Sequence, residues 1–139
     1  MNKKGPIIII EDDPDDQQFI SDALAEAGNS NEIMFFSDGI SVLNYLTTSK
    51  QKPFIIISDI NLPILNGLEL RERIHSNNEL SLKCIPYIFL TTTVNPANVT
   101  QAYATSVQGF FTKPLSYQDL VRVIHNIIEY WKNCYAPPL

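Results

Sequence analysis

The chain has 139 residues, 45% hydrophobic and 18% charged, with a formal net charge of −5 and a pI near 4.8. That length and balance fit one ordinary globular domain and exclude a disordered chain. The acidic surplus argues against nucleic-acid binding through the phosphate backbone, and no basic block offers an anionic membrane a landing site. The expected location is the cytoplasm, because the four isoleucines before Glu11 are too short for a signal sequence or a membrane span. Cys84 and Cys134 have no metal-type spacing and read as reduced thiols of no special role.

In chain order, Ile7–Ile10 is a wholly apolar run ended by Glu11 and Asp12, the pattern of a strand buried on both faces. Asp13 followed by Pro14 reads as an N-cap and first helical residue, with Asp15 and Asp16 complementing the helix dipole in the first turn. Phe19, Ile20, Ala23, Leu24 and Ala27 keep helical spacing until Gly28 closes the helix. Residues 33–36 form a second strand, and a helix follows through Ile40, Val42, Leu43 and Leu46. The third strand, Phe54 to Ile57, runs into Ser58 and Asp59, and Pro63 prevents its continuation.

Leu65-Asn66-Gly67 turns the chain into a helix with Leu68, Leu70 and Ile74 inward, and residues 77–83 read as a polar loop. Tyr87 to Leu90 is a fourth strand ending in three threonines, and Asn95-Pro96 opens a polar, alanine-rich helix expected to pack thinly. A short fifth strand, residues 109–112, precedes Lys113-Pro114. The last helix, through Leu120, Ile124, Ile127, Ile128 and Trp131, has more apolar residues than one face can bury, so part of the excess is expected to meet a partner, including a second copy of the chain. The tail from Ala136 to Leu139 cannot be helical. His75 and His125 read as surface or interface residues. Five strands alternating with five helices predict an α/β fold, a doubly wound parallel sheet covered on both faces. The domain core is placed at about residues 6–132, with 133–139 as a C-terminal tail.

Charged and hydroxyl residues thus gather at strand ends: Glu11 and Asp12, Asp59, Thr91 and Lys113. An acid where a buried strand emerges is costly without compensation, and open α/β sheets bind ligands beyond the carboxyl ends of their strands. Converging carboxylates repel unless a cation lies among them, and oxygen ligands of this kind suit Mg²⁺. A carboxylate beside a metal, a lysine and a hydroxyl is a phosphoryl acceptor in the making.

These residues carry a resemblance. Glu11-Asp12, Asp59-Ile60-Asn61-Leu62-Pro63 with Gly67, then Thr91, Phe110 and Lys113-Pro114, in this order, resemble the receiver domain of two-component response regulators, the CheY-like superfamily. The Glu-Asp-Asp-Pro-Asp-Asp run, the long loop before the fourth strand, Leu90-Thr91-Thr92-Thr93 and Tyr130-Trp131 are most similar to the stand-alone phytochrome-associated type. The resemblance implies a flavodoxin-like (βα)5 sheet in the order 2-1-3-4-5. Asp59 would accept phosphate from a phosphohistidine. Glu11, Asp12 and Asp59, with the Asn61 backbone carbonyl, would hold Mg²⁺. Lys113 would bridge Asp59 and the phosphoryl group, and its bond to Pro114 would be cis. Thr91 and Phe110 would be the switch, with the output face made of the helix after Asn95, the fifth strand and the last helix. The resemblance implies that Asn61 and Thr93 tune self-dephosphorylation, and that Thr92, larger than the family's usual residue, narrows phosphoryl access.

The partners implied are a sensor histidine kinase, phytochrome-type or hybrid, or a histidine phosphotransfer protein, with a homodimer through the output face. No enzyme activity is expected beyond the domain's own phosphoryl acceptance and dephosphorylation. Two other classes stay open. A haloacid dehalogenase-type phosphatase uses a similar aspartate but wants a second one two residues on, where this chain has Asn61. A pseudo-receiver would be an interaction module that never takes phosphate.

Overall fold

A computed structural model describes residues 1–138 of the chain. Eleven elements follow one another: β1 (Ile7–Ile10), α1 (Pro14–Glu26), β2 (Ile33–Phe36), α2 (Gly39–Thr48), β3 (Ile55–Ser58), α3 (Gly67–Ser76), α4 (Asn78–Leu82), β4 (Tyr87–Thr91), α5 (Pro96–Ala104), β5 (Gly109–Thr112) and α6 (Tyr117–Asn133). All strand pairs are parallel and the sheet order is β2-β1-β3-β4-β5. That is the flavodoxin-like arrangement expected from the sequence, with six helices in place of five.

The isoleucine runs now have a physical reason. Alternate side chains point to opposite faces of a sheet. Ile8 and Ile10 join one core with Ile56, Tyr87 and Phe89 beneath α2, α3 and α5, whereas Ile7 and Ile9 join the other with Ile55, Ile57, Ile88 and Leu90 beneath α1 and α6. Both faces are covered, so neither parity can be polar. Of α5 only Ala102 is fully buried, in keeping with the thin packing expected there.

Helix starts follow the sequence signals. The Asp13 side chain accepts from the Asp15 and Asp16 amides, Asp38 from Ser41, and Ser116 from Asp119. Asn66 and Glu69 form a reciprocal capping box at α3.

Three expectations are corrected. The stretch read as a loop contains α4, because Asn77 ends α3 and at once caps the next turn by accepting from the Leu80 amide, which lets Leu80 bury itself in the core. The third strand is Ile55–Ser58, one residue later than the apolar run, although Phe54 is fully buried below it. The Lys113–Pro114 peptide is trans, the isomer that an X–Pro bond intrinsically favours. The tail leaves helical structure after Asn133, and Leu139 lies outside the described residues. Among the described residues no helix is long and apolar enough to cross a membrane.

Candidate functional site

The site lies at the carboxyl edge of the sheet, where β1 and β3 sit side by side and the connections leave in opposite directions. The ladder hydrogen bonds that end the sheet also aim its polar residues. The Asp59 amide donates to the Ile10 carbonyl at 2.9 Å, the Glu11 amide to the Phe36 carbonyl at 3.0 Å, and the Lys113 amide to the Thr91 carbonyl at 2.9 Å. Glu11, Asp59 and Lys113 are therefore each the first residue past a paired strand and Thr91 is the last residue of β4, so a shift in register would displace all of them together.

Asp59 is only 8% exposed. Its Oδ1 accepts from the Ile60 amide at 2.7 Å and from Thr91 Oγ1 at 2.6 Å, and its Oδ2 accepts from Lys113 Nζ at 3.2 Å. Thr91, fully buried, in turn accepts from the Thr93 amide at 3.1 Å. Gly67 closes the site from below: an added Cβ would lie 2.1 Å from the Asp59 carbonyl oxygen, so only glycine lets α3 start so close to β3.

Lys113 is the electrostatic hub. Its ammonium donates to Glu11 Oε2 at 2.5 Å, Asp16 Oδ2 at 2.9 Å and Asp59 Oδ2 at 3.2 Å. Burial alone would lower its pKa, but the bonds to Glu11 and Asp16 outweigh that and hold it above the ordinary lysine value. At Glu11 burial is the larger effect. Burial lifts its carboxyl to about 7, against the pull of Lys113 and of the Asp13 amide that donates to it.

Carboxylate oxygens of Glu11, Asp12 and Asp59 lie within 4.8 Å of one another, close enough to share one cation. Glu11 and Asp59 are buried and Asp12 is exposed, so the cluster opens to solvent on one side. Three hard oxygen donors with an open side match the chemistry of a hydrated divalent ion. Asn61 is exposed at the rim, and its side-chain amide donates to Thr93 Oγ1.

The structure thus brings Glu11, Asp12, Asp59, Thr91 and Lys113 together as the sequence predicts. Phe110 is half-buried and tilts against Phe89, with ring centroids 5.7 Å apart, on the far side of Thr91's strand from Lys113's partners. His75 and His125 are exposed and remote from the cluster, in line with their reading as surface residues. One residue was missed: Asp16, read as a dipole partner of α1, also binds Lys113. No sequence signal pointed to it, because Lys113 lies 97 residues away and the helix dipole already accounts for an acid in the first turn.

The model of the response regulator receiver domain matches residues 7–125. The chain belongs to that family. This receiver is 30% identical over 129 residues to the probable methanogenesis regulatory protein FilR2 of Methanothrix harundinacea, covering 90% of this chain and 82% of that one. It is 28% identical over 135 residues to the response regulator Rcp1 of Synechocystis, covering 94% and 90%. Among solved structures it is similar to the phosphorylated cyanobacterial phytochrome response regulator RcpA, with a TM-score of 0.86 and 28% identity over 97% of this chain and 99% of that one. The Mn²⁺-bound form of Rcp1 superposes with a TM-score of 0.83 and 26% identity, again over 97% and 99%. By sequence and by structure, this receiver lies close to the phytochrome-associated response regulators.

Proposed function

We propose that this receiver accepts a phosphoryl group on Asp59 from a phosphohistidine and relays the event by changing its α5-β5-α6 face. The observation that carries the reading is the convergence on one buried aspartate of a hydroxyl donor, Thr91, an ammonium donor, Lys113, and two further acids, Glu11 and Asp12. A pseudo-receiver has no use for that set, and the intact constellation favours phosphoryl acceptance over it.

In the proposed step a carboxylate oxygen of Asp59 attacks phosphorus and forms the O–P bond. The P–N bond to the imidazole breaks, and the leaving nitrogen keeps the electron pair on an imidazole that already carries its other proton. Lys113 faces the charge that collects on the phosphoryl oxygens. Thr91, already bonded to Asp59, is placed to move its hydroxyl onto one of them. Such chemistry is mostly positioning and charge neutralisation. Glu11, Asp12 and Asp59, with the Asn61 backbone carbonyl, would hold Mg²⁺, which when bound supplies positive charge on the open side of the site. The Mn²⁺-bound relative supports a divalent cation there.

Loss of the Thr91–Asp59 hydrogen bond would leave room behind β4 for the half-buried Phe110 to turn inward, which is the bistable element. The phosphate donor would be a sensor histidine kinase or a histidine phosphotransfer protein. Tyr103 of α5 and Tyr130 of α6, both more than half exposed, support pairing of two copies through this face.

The test is intact mass spectrometry after incubation with Mg²⁺ and acetyl phosphate, beside Asp59→Asn. A Mg²⁺-dependent gain of one phosphoryl group that the mutant lacks is expected. No adduct on the unmodified chain, together with no binding of beryllofluoride, would overturn the reading and favour the pseudo-receiver.

A further inference from the structure

Asp16 sits in the first turn of α1, where the dipole alone would explain an acid. The structure shows more. Its Oδ2 accepts from Lys113 Nζ at 2.9 Å, a shorter contact than the 3.2 Å from the same nitrogen to Asp59. The three partners of the lysine differ sharply in exposure, with Glu11 and Asp59 side chains at 3% and 9% and Asp16 at 37%. Asp16 also stands with Lys113 on the wall of a cleft of about 440 Å³, with Phe19, Leu90, Pro114 and Leu115, that opens beside the phosphoryl-accepting site.

We propose that Asp16 is a positioning residue that keeps one donor of the Lys113 ammonium turned away from the phosphoryl position beside Asp59 until a phosphoryl group, or a mimic of one, displaces it. The inference rests on the reading of Asp59 as the phosphoryl acceptor. An ammonium has three donors, and here each one is directed at a carboxylate. A phosphoryl group on Asp59 brings new acceptor oxygens and more negative charge beside Lys113, which can serve them only by releasing a bond it already makes. Releasing Glu11 would leave its buried Oε2 without a partner unless Mg²⁺ takes that oxygen, its Oε1 keeping the Asp13 amide. Once Mg²⁺ is bound, Asp16 is the remaining partner outside the acceptor that competes with the phosphoryl group for the lysine. Releasing Asp16 leaves a carboxylate that water can reach. Asp16 is therefore the bond that gives way, and its hold opposes phosphoryl binding by the modest amount that a partly exposed ion pair supplies.

Beryllofluoride binding in saturating Mg²⁺, followed by fluorine NMR, tests this on the full chain. Asp16→Asn and Asp16→Ala should both tighten binding about two- to fivefold, the range open to a partly exposed ion pair. Asp16→Glu, which can still reach the lysine, should return toward the original affinity. Asp15→Asn removes the same charge from the same helical turn without touching Lys113 and should leave affinity unchanged. Unaltered or weakened binding in Asp16→Asn, or equal tightening in Asp15→Asn, would overturn the role of Asp16 while leaving Asp59 as acceptor. Failure of the unmodified chain itself to bind beryllofluoride would overturn the acceptor reading and the role of Asp16 with it.

Discussion

Thr91 Oγ1 donates a 2.6 Å hydrogen bond to Asp59 Oδ1 between two neighbouring strands, and both residues are buried. The same hydroxyl accepts from the Thr93 amide. Replacing Thr91 with valine keeps the volume but leaves a buried carboxylate oxygen with one donor fewer and strands the Thr93 amide. The expected loss of stability is about 1–3 kcal/mol, the desolvation cost of groups left unpaired. Thr91→Ser, which keeps the oxygen, should lose less. Urea unfolding in the absence of metal measures both. A valine variant as stable as the original would mean that this bond is not formed in solution.

Glu11 gives the site a pH dependence. Burial raises its carboxyl from the ordinary 4.5 to about 7, so the folded chain binds a proton more tightly than the unfolded one. The stability this contributes is complete below the unfolded value and is lost as pH rises through about 7. A cation bound by the cluster must displace that proton. The rise in Tm on adding Mg²⁺ should therefore be larger at about pH 8 than at about pH 6. Glu11→Gln should flatten the difference. Thermal melts in Mg²⁺ and in chelator at the two pH values decide it, and an equal Mg²⁺ shift at both would sink the idea.

Asp59, Thr91 and Lys113 were legible in the sequence because each ends a short run of apolar strand residues, and a paired parallel strand can change character only at its end. Strand order added the rest, since β1, β3, β4 and β5 lie side by side. What stayed hidden was hidden for physical reasons. Helix α4 has five residues and one buried leucine, too little to show a period. Asp16 already had a sufficient local explanation as a helix-turn acid, which concealed its bond to a lysine 97 residues away. Arg71 is another case. Nothing in the sequence pattern singles it out, yet it is buried, donates to the Thr105 and Ser106 carbonyls at 3.0 Å each, and lies 5.5 Å from the centre of the Tyr87 ring. Its partners lie 34 and 35 residues on, beyond any helical periodicity.

Ile64, in the loop that follows Asp59, has a φ of 68° and is 82% exposed. A β-branched residue in the left-handed region is strained by about 1–2 kcal/mol. Almost no packing offsets that strain. Ile64→Asn, which tolerates this conformation, should raise stability by up to about 1 kcal/mol. Calorimetry checks the sign. A lower Tm would show that the isoleucine makes a contact that offsets its backbone strain.

Gly67 makes the opposite prediction. A methyl group there would meet the Asp59 carbonyl oxygen at 2.1 Å and Phe89 Cε1 at 3.0 Å. Neither can retreat easily, because one is backbone at the end of a paired strand and the other is a fully buried ring. Gly67→Ala should cost about 1–3 kcal/mol, as overpacking in a tight core does. It should also push the Asp59 main chain away from Thr91 and Lys113, so phosphoryl acceptance should fall by more than the lost stability explains. Gly28 supplies the comparison. Its φ is +84° with nothing within 4 Å of an added Cβ, so Gly28→Ala strains only the backbone at the end of α1. That variant should lose about 1–2 kcal/mol and bind beryllofluoride as before. Equal loss of beryllofluoride binding in the two variants would mean that global stability governs the site, not the placement of Asp59.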